Sequence, residues 1–200
     1  MSPIKAAKAN MRQKISNALN RLDDEERRRQ SQIIFKKLTS LPQYKTSKRI
    51  SIYLSLPDEV DTIPILEDIF AKGKEAFVPR YKGQQMEMVK IYSMDDYFRL
   101  PRTKWHIKQP HVHDIRDNAL ETGGLDLVIL PGVAFTKSGK RLGHGMGYYD
   151  KYLESIALHE KRMPYLVAIA FNEQIQEDVP TNEKDIVLDK VLTESDDHGQ

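Results

Sequence analysis

"LDLVILPGVAF", Leu125 to Phe135, is the most apolar run in the chain, and "TKSGKRLGHGMGYYDKYL", Thr136 to Leu153, follows it directly. Unbroken apolar character bounded by Pro131-Gly132, rather than strict alternation, is the pattern of a strand covered on both faces. The strand is expected to end near that Pro-Gly pair. After it, "GYYDKYLESIALHE" returns to helical spacing, with Tyr149, Tyr152, Leu153 and Ile156 on one face. A buried strand, a glycine-rich turn and an amphipathic helix form half of a parallel crossover unit.

The same alternation of patterns extends in both directions. "KRISIYLSL" (Lys48 to Leu56) reads as a second buried strand, "TIPILEDIFAKG" as a helix stopped by Gly73, and "EAFVPRY" as a third strand. "MEMVKIY" (Met86 to Tyr92) alternates and suits an antiparallel edge, residues 101–124 are mostly loop, and "YLVAIAF" (Tyr165 to Phe171) is another buried strand. "DIVLDKVLTE" supplies short extended pieces. From Ser2 to Leu41 the spacing is helical: Ile15, Leu19 and Leu22 mark one helix, and Asp23 caps a second that carries Ile33, Ile34, Phe35 and Leu38 and ends before Pro42. The pattern predicts an α/β fold: a three-layer α/β/α arrangement with a mainly parallel, open twisted sheet and two N-terminal helices. One domain over residues 1–200 is expected, with the helices of residues 1–41 packed on it and residues 195–200 as a frayed tail.

Composition narrows the chemistry. There is no cysteine, which excludes disulfides, thiolate metal sites and a cysteine nucleophile. No segment has the apolar length of a signal peptide core or a membrane span, so a cytoplasmic protein without a membrane partner is expected. Charge is unevenly spread: residues 1–50 carry 13 Lys and Arg against 4 Asp and Glu, whereas residues 172–200 carry 2 against 9. The basic end either faces phosphates or is a solvated helical face partly paired with the acidic end.

The glycine stretch is the candidate site. In open α/β sheets ligands bind at the carboxyl ends of strands, and a strand-to-helix turn presents backbone N–H groups and the positive helix end there. Gly143, Gly145 and Gly147 alternate with Leu142, His144 and Met146, so the backbone can approach a ligand at three places. Arg141 can grip phosphate oxygens in bidentate fashion, Lys140 can act as a point charge, and Asp150 stands where a carboxylate could hold a hydrated Mg²⁺ on a nucleotide. The plain alternative stays open: an ordinary structural turn with core tyrosines. The spacing is neither a Walker A sequence nor a dinucleotide fingerprint.

"LPGVAFTKSGKRLGHGMGYYDKYL" (Leu130 to Leu153) closely resembles the signature of the 5-formyltetrahydrofolate cyclo-ligase family. Lys8 and Arg12, "KRISIYLSLPDEVDT", "FVPRY", "MEMVKIYS", "ETGGLDLVILPG" and "AFNEQI…VPTNEKDIVLDKVL" resemble further family blocks in the same order, over nearly the full length. The resemblance implies an enzyme that uses ATP as co-substrate and Mg²⁺ as cofactor to convert 5-formyltetrahydrofolate to 5,10-methenyltetrahydrofolate. It implies ATP contacts from Lys8, Arg12 and the loop Arg141, Leu142, Gly143, His144, Gly145, Met146, Gly147, Tyr148 and Tyr149, with Arg141, His144 and Tyr148 in catalysis. Asp150 and Asp185 resemble the metal ligands. Leu54 and Glu59 match folate-contacting positions, with residues 144–148 bordering both ligands. Tyr81 and Trp105 are flat walls for a pterin, or core residues. Many family members carry arginine where this chain has His144, which leaves that position's role open. A monomer that binds no nucleic acid is expected; a non-catalytic RNA-binding module and a phosphate-binding isomerase that needs no ATP are the alternatives.

Overall fold

The computed structural model describes residues 1–183 and 185–195. The expected frayed tail therefore lies, apart from Ser195, outside the described residues. Two helices lead: α1 (Pro3–Leu19), capped by the Ser2 hydroxyl, and α2 (Asp24–Ser40), capped by the Asp23 carboxylate accepting from the Glu26 N–H at 2.8 Å. Pro42 does more than end the second helix, because it opens a short helix, α3 (Pro42–Thr46), as a proline at the first helical position can.

A mixed sheet of six strands follows in the order β3-β2-β1-β4-β7-β8. Its members are β1 (Arg49–Ile52), β2 (Glu75–Lys82), β3 (Gln85–Ile91), β4 (Leu127–Leu130), β7 (Tyr165–Ile169) and β8 (Lys190–Leu192). All neighbours are parallel except β2 and β3, which form the expected antiparallel edge. The β1 strand is shorter than "KRISIYLSL" suggested, because the chain leaves the sheet at Tyr53 and turns over its carboxyl edge. Two short pieces ahead of Gly143 form a separate antiparallel ribbon, β5 (Ala134–Phe135) with β6 (Arg141–Leu142). Helices α4 (Ile63–Ala71), α5 (Met94–Arg99) and α6 (Tyr148–His159) complete the elements; α5, only six residues, falls below what periodicity can show.

The pleat sorts the core into two faces. Leu127, Ile129, Val167 and Ile169 pack with Ile15, Leu19, Ile34, Leu38, Ile65 and Leu66 of the helices on one side. Val128, Leu130, Leu166 and Ala168 pack with Tyr149, Tyr152, Leu153 and Ile156 of α6 on the other. Helices thus cover both sides of a mostly parallel sheet, the three-layer α/β/α arrangement that the sequence predicts. The chain's charge asymmetry is partly consumed by this packing: Arg29 pairs with Glu194 at 2.6 Å, and Lys8 with Asp185 at 3.6 Å.

Candidate active site

The strand order changes direction between β1 and β4, so the segments leaving these two neighbours diverge and open a crevice. A cavity of about 1070 Å³ occupies it. Of the site residues proposed from the sequence, Lys8, Arg12, Leu54, Glu59, Tyr81, Trp105, the whole of 141–150 and Asp185 line this cavity. Lys140 does not. Arg141, the first residue of β6, faces the cavity, whereas Lys140, just before that strand, turns out to Asp178 at 2.7 Å; the role suggested for Lys140 is corrected on that ground.

The glycine loop takes its shape from two left-handed positions. Gly145 has φ +110° and lies against the Arg12 guanidinium; Gly147 has φ +71° and is the N-cap of α6. No side chain caps that helix, which leaves its first N–H groups open toward the cavity. Arg141 is almost fully buried, with its Nε donating to the Pro131 carbonyl at 2.7 Å and Nη1 3.4 Å from Asp150. Its guanidinium also sits over the Tyr149 ring, 5.4 Å from the centroid. Across the loop, Arg12 Nε donates to the Gly143 carbonyl at 2.9 Å, and Lys8 stands 3.6 Å from Asp185. Asp185 also accepts from the Asn182 N–H at 2.6 Å, and what distinguishes it from Asp178 and Asp189 is that it lines the cavity.

The opposite wall comes from the segment after β1. Ser55 and Thr62 exchange hydrogen bonds, each backbone N–H donating to the other's hydroxyl at 3.1 Å or less, and this ties off the turn that carries Glu59. The Glu59 carboxylate accepts from the Leu56 N–H at 2.8 Å. Burial raises the Glu59 pKa to about 7, with the nearby Asp58 charge adding to the shift. His144 Nε2 lies 4.0 Å from the same carboxylate; desolvation first, then Arg141, lowers the imidazole's pKa. Tyr81 meets Tyr148 edge-on at 4.7 Å, and the Tyr148 hydroxyl donates to the Gly83 carbonyl in the β2–β3 turn. Trp105 is not core: it stands 70% exposed at the rim. Tyr53 and Lys5 also line the cavity and were not singled out from the sequence. Lys5 falls one turn before Lys8 on the same helical face, a signal that spacing alone carried.

The cavity is lined by the basic side chains of Lys8, Arg12 and Arg141 and by the aromatic side chains of Tyr53, Tyr81 and Trp105, with one buried acid, Glu59. The model of the 5-formyltetrahydrofolate cyclo-ligase family matches residues 4–194. The chain belongs to that family. The family's 5-formyltetrahydrofolate cyclo-ligase from Mus musculus is 47% identical over 193 residues, covering 96% of this chain and 95% of its own length. The Escherichia coli K12 enzyme of the same name is 30% identical over 87% of this chain and 93% of its own. The solution structure of Aquifex aeolicus 5,10-methenyltetrahydrofolate synthetase superposes with a TM-score of 0.77 at 32% identity, covering 94% of this chain and 90% of that one. The matched residues thus include every segment that lines the cavity, from the helix that carries Lys8 to the segment that carries Asp185.

Proposed function

We propose that this cyclo-ligase converts 5-formyltetrahydrofolate to 5,10-methenyltetrahydrofolate at the expense of ATP, with ADP and phosphate as the other products. The observation that carries the reading is the mixed lining of one cavity: three basic side chains and an uncapped helix start on the one hand, tyrosines and a buried carboxylate on the other. The first suits a polyphosphate, the second a flat heterocycle with N–H donors.

In this reading the formyl oxygen attacks the γ-phosphorus, the bond to ADP breaks, and N10 closes on the activated carbon as phosphate leaves and the N10 proton is lost. An amide oxygen leaves poorly and phosphate leaves well, so the transfer makes the carbon electrophilic. The protein's task is to hold the two reactants in line and neutralise charge on the phosphoryl oxygens. Arg141 is fixed for this by Pro131 and Asp150 before any ligand arrives, which spares reorganisation. Arg12 and Lys8 close on the phosphates from α1. Glu59 accepts hydrogen bonds from the pterin edge, and a pair of ligand donors favours its ionised form. Tyr81 and Trp105 flank the rings.

Asp150 and Asp185 fit a Mg²⁺ shared with the nucleotide. Both are oxygen donors on the cavity wall, each with one long contact to a cation, and among the described residues no group of three or more acidic or histidine side chains could hold a metal without help. Two carboxylates completed by water and phosphate oxygens match the coordination habit of Mg²⁺, which when bound offsets phosphate charge. A nucleic-acid module is disfavoured because the basic N-terminal helices carry one aromatic, Phe35, which is packed against the core. Incubation with 5-formyltetrahydrofolate and MgATP, followed by methenyltetrahydrofolate absorbance, tests the proposal; product formed equally without ATP would refute it. Among the described residues no helix is long and apolar enough to cross a membrane.

A further inference from the structure

The cationic face that α1 turns to the cavity extends beyond Lys8 and Arg12. Lys5 lines the same cavity, because positions 5, 8 and 12 share one side of a helix. Three positive side chains from a single helix thus stand opposite Arg141. Their compensation is unequal. Arg12 is held by the Gly143 carbonyl and Lys8 by Asp185, whereas the Lys5 ammonium has no hydrogen-bond or ion-pair partner among the described residues.

Packing along α1 is equally uneven. Its buried side chains are Ile15 and Leu19, both in the last five residues, and Met11 is only partly buried. From Pro3 to Asn10 nothing is buried, so little apolar area holds that half down. Its anchors toward the site are the two polar contacts of Lys8 and Arg12. A helix half held by charge, and facing like charge, gains its missing counter-charge only when an anion enters between.

We propose that residues 3–12 form an electrostatic strap, with Lys5 as its third phosphate contact, which tightens over the cavity when a polyphosphate binds. The proposal rests on the ATP reading of this cavity. It separates α1 into a half that belongs to the core and a half that belongs to the ligand.

Hydrogen–deuterium exchange on the full chain tests it, read at residues 7–11, beyond the first-turn amides that exchange freely in any helix. In the free protein these amides exchange faster than those of residues 15–19; MgATP slows them and 5-formyltetrahydrofolate alone does not. In steady-state kinetics Lys5→Gln raises the KM for ATP about fivefold, the scale of one solvent-screened ionic contact, and the effect shrinks with added salt. Lys14→Gln, on the same helix but bonded to Gln176, leaves that KM in place. The strap is overturned if MgATP protects residues 141–147 but not 7–11, or if Lys5→Gln binds ATP as the wild type does. If MgATP protects neither segment, the nucleotide reading itself fails and the strap falls with it.

Discussion

His144 Nε2 lies 4.0 Å from a carboxylate oxygen of Glu59, joining the glycine loop to the segment that leaves β1. Burial holds Glu59 near pH 7, with Asp58 raising its pKa further and Tyr53, Tyr81 and His144 around it. If the carboxylate accepts from the pterin, folate binding strengthens as Glu59 ionises. The KM for 5-formyltetrahydrofolate is expected to fall between pH 6 and pH 8, and Glu59→Gln to raise it and flatten that dependence. Initial rates across this interval check both.

The same group makes a stability prediction. A pKa of about 7 in the folded state lies above the unfolded carboxyl value of ~4.3, so the native state holds the extra proton between these limits. The stabilisation is complete below the unfolded value and is lost as pH rises through 7. Relative to wild type, Glu59→Gln should gain up to about 3 kcal/mol between pH 5 and pH 8. Thermal unfolding of both proteins at the two pH values measures it.

His144→Arg restores a permanent charge where the free protein has an imidazole pushed toward neutrality by desolvation and by Arg141. The variant should retain or improve ATP affinity near pH 8. A large fall in kcat would mean instead that the imidazole itself takes part.

Asp150→Ala should raise the Mg²⁺ requirement by about tenfold or more while leaving the KM for folate nearly in place. Asp150→Asn separates this role from the contact with Arg141, since an amide oxygen still accepts from the guanidinium. An unchanged Mg²⁺ requirement in both would remove Asp150 from the ligand set.

Gln174 is buried where a short 3-10 turn at Asn172–Gln174 meets the start of the glycine segment. Its side chain accepts from the Phe171 N–H at 2.9 Å and donates to the Gly132 carbonyl at 2.8 Å and the Val133 carbonyl at 3.2 Å. Gln174→Ala leaves those groups without partners and should cost about 2–3 kcal/mol in urea unfolding. Because Pro131 and Arg141 flank the same carbonyls, the loss should reach ATP affinity as well.

Long periodic elements were legible before any coordinates. The strand at Leu127 shows as an unbroken apolar run bounded by Pro131-Gly132, and the helix at Tyr148 and the two leading helices show because their apolar residues repeat at helical spacing. Elements α3 and α5 did not show, since five or six residues give no period to read. The β5–β6 ribbon escaped for a related reason: two residues per strand are fixed by tertiary contacts rather than by pattern. The site residues were legible chiefly through resemblance, and the structure adds what spacing could not. It brings Leu54, Glu59 and Asp185, far apart in the chain, to one cavity. It also separates Arg141 from its neighbour Lys140, whose charge is spent on Asp178.

The pairing of Lys8 with Asp185 ties the beginning of the chain to its last strand-forming segment. Arg29 and Lys37 repeat the tie through Glu194. During synthesis α1 leaves the ribosome with its cations uncompensated, and the glycine loop follows more than a hundred residues later; the balancing carboxylate comes later still. A nascent chain stopped near residue 180 would own most of the sheet and the whole glycine loop, yet lack the counter-charge that sets Lys8. The contact that sets Lys8 therefore forms only after Asp185 has been made, however early the sheet itself is assembled.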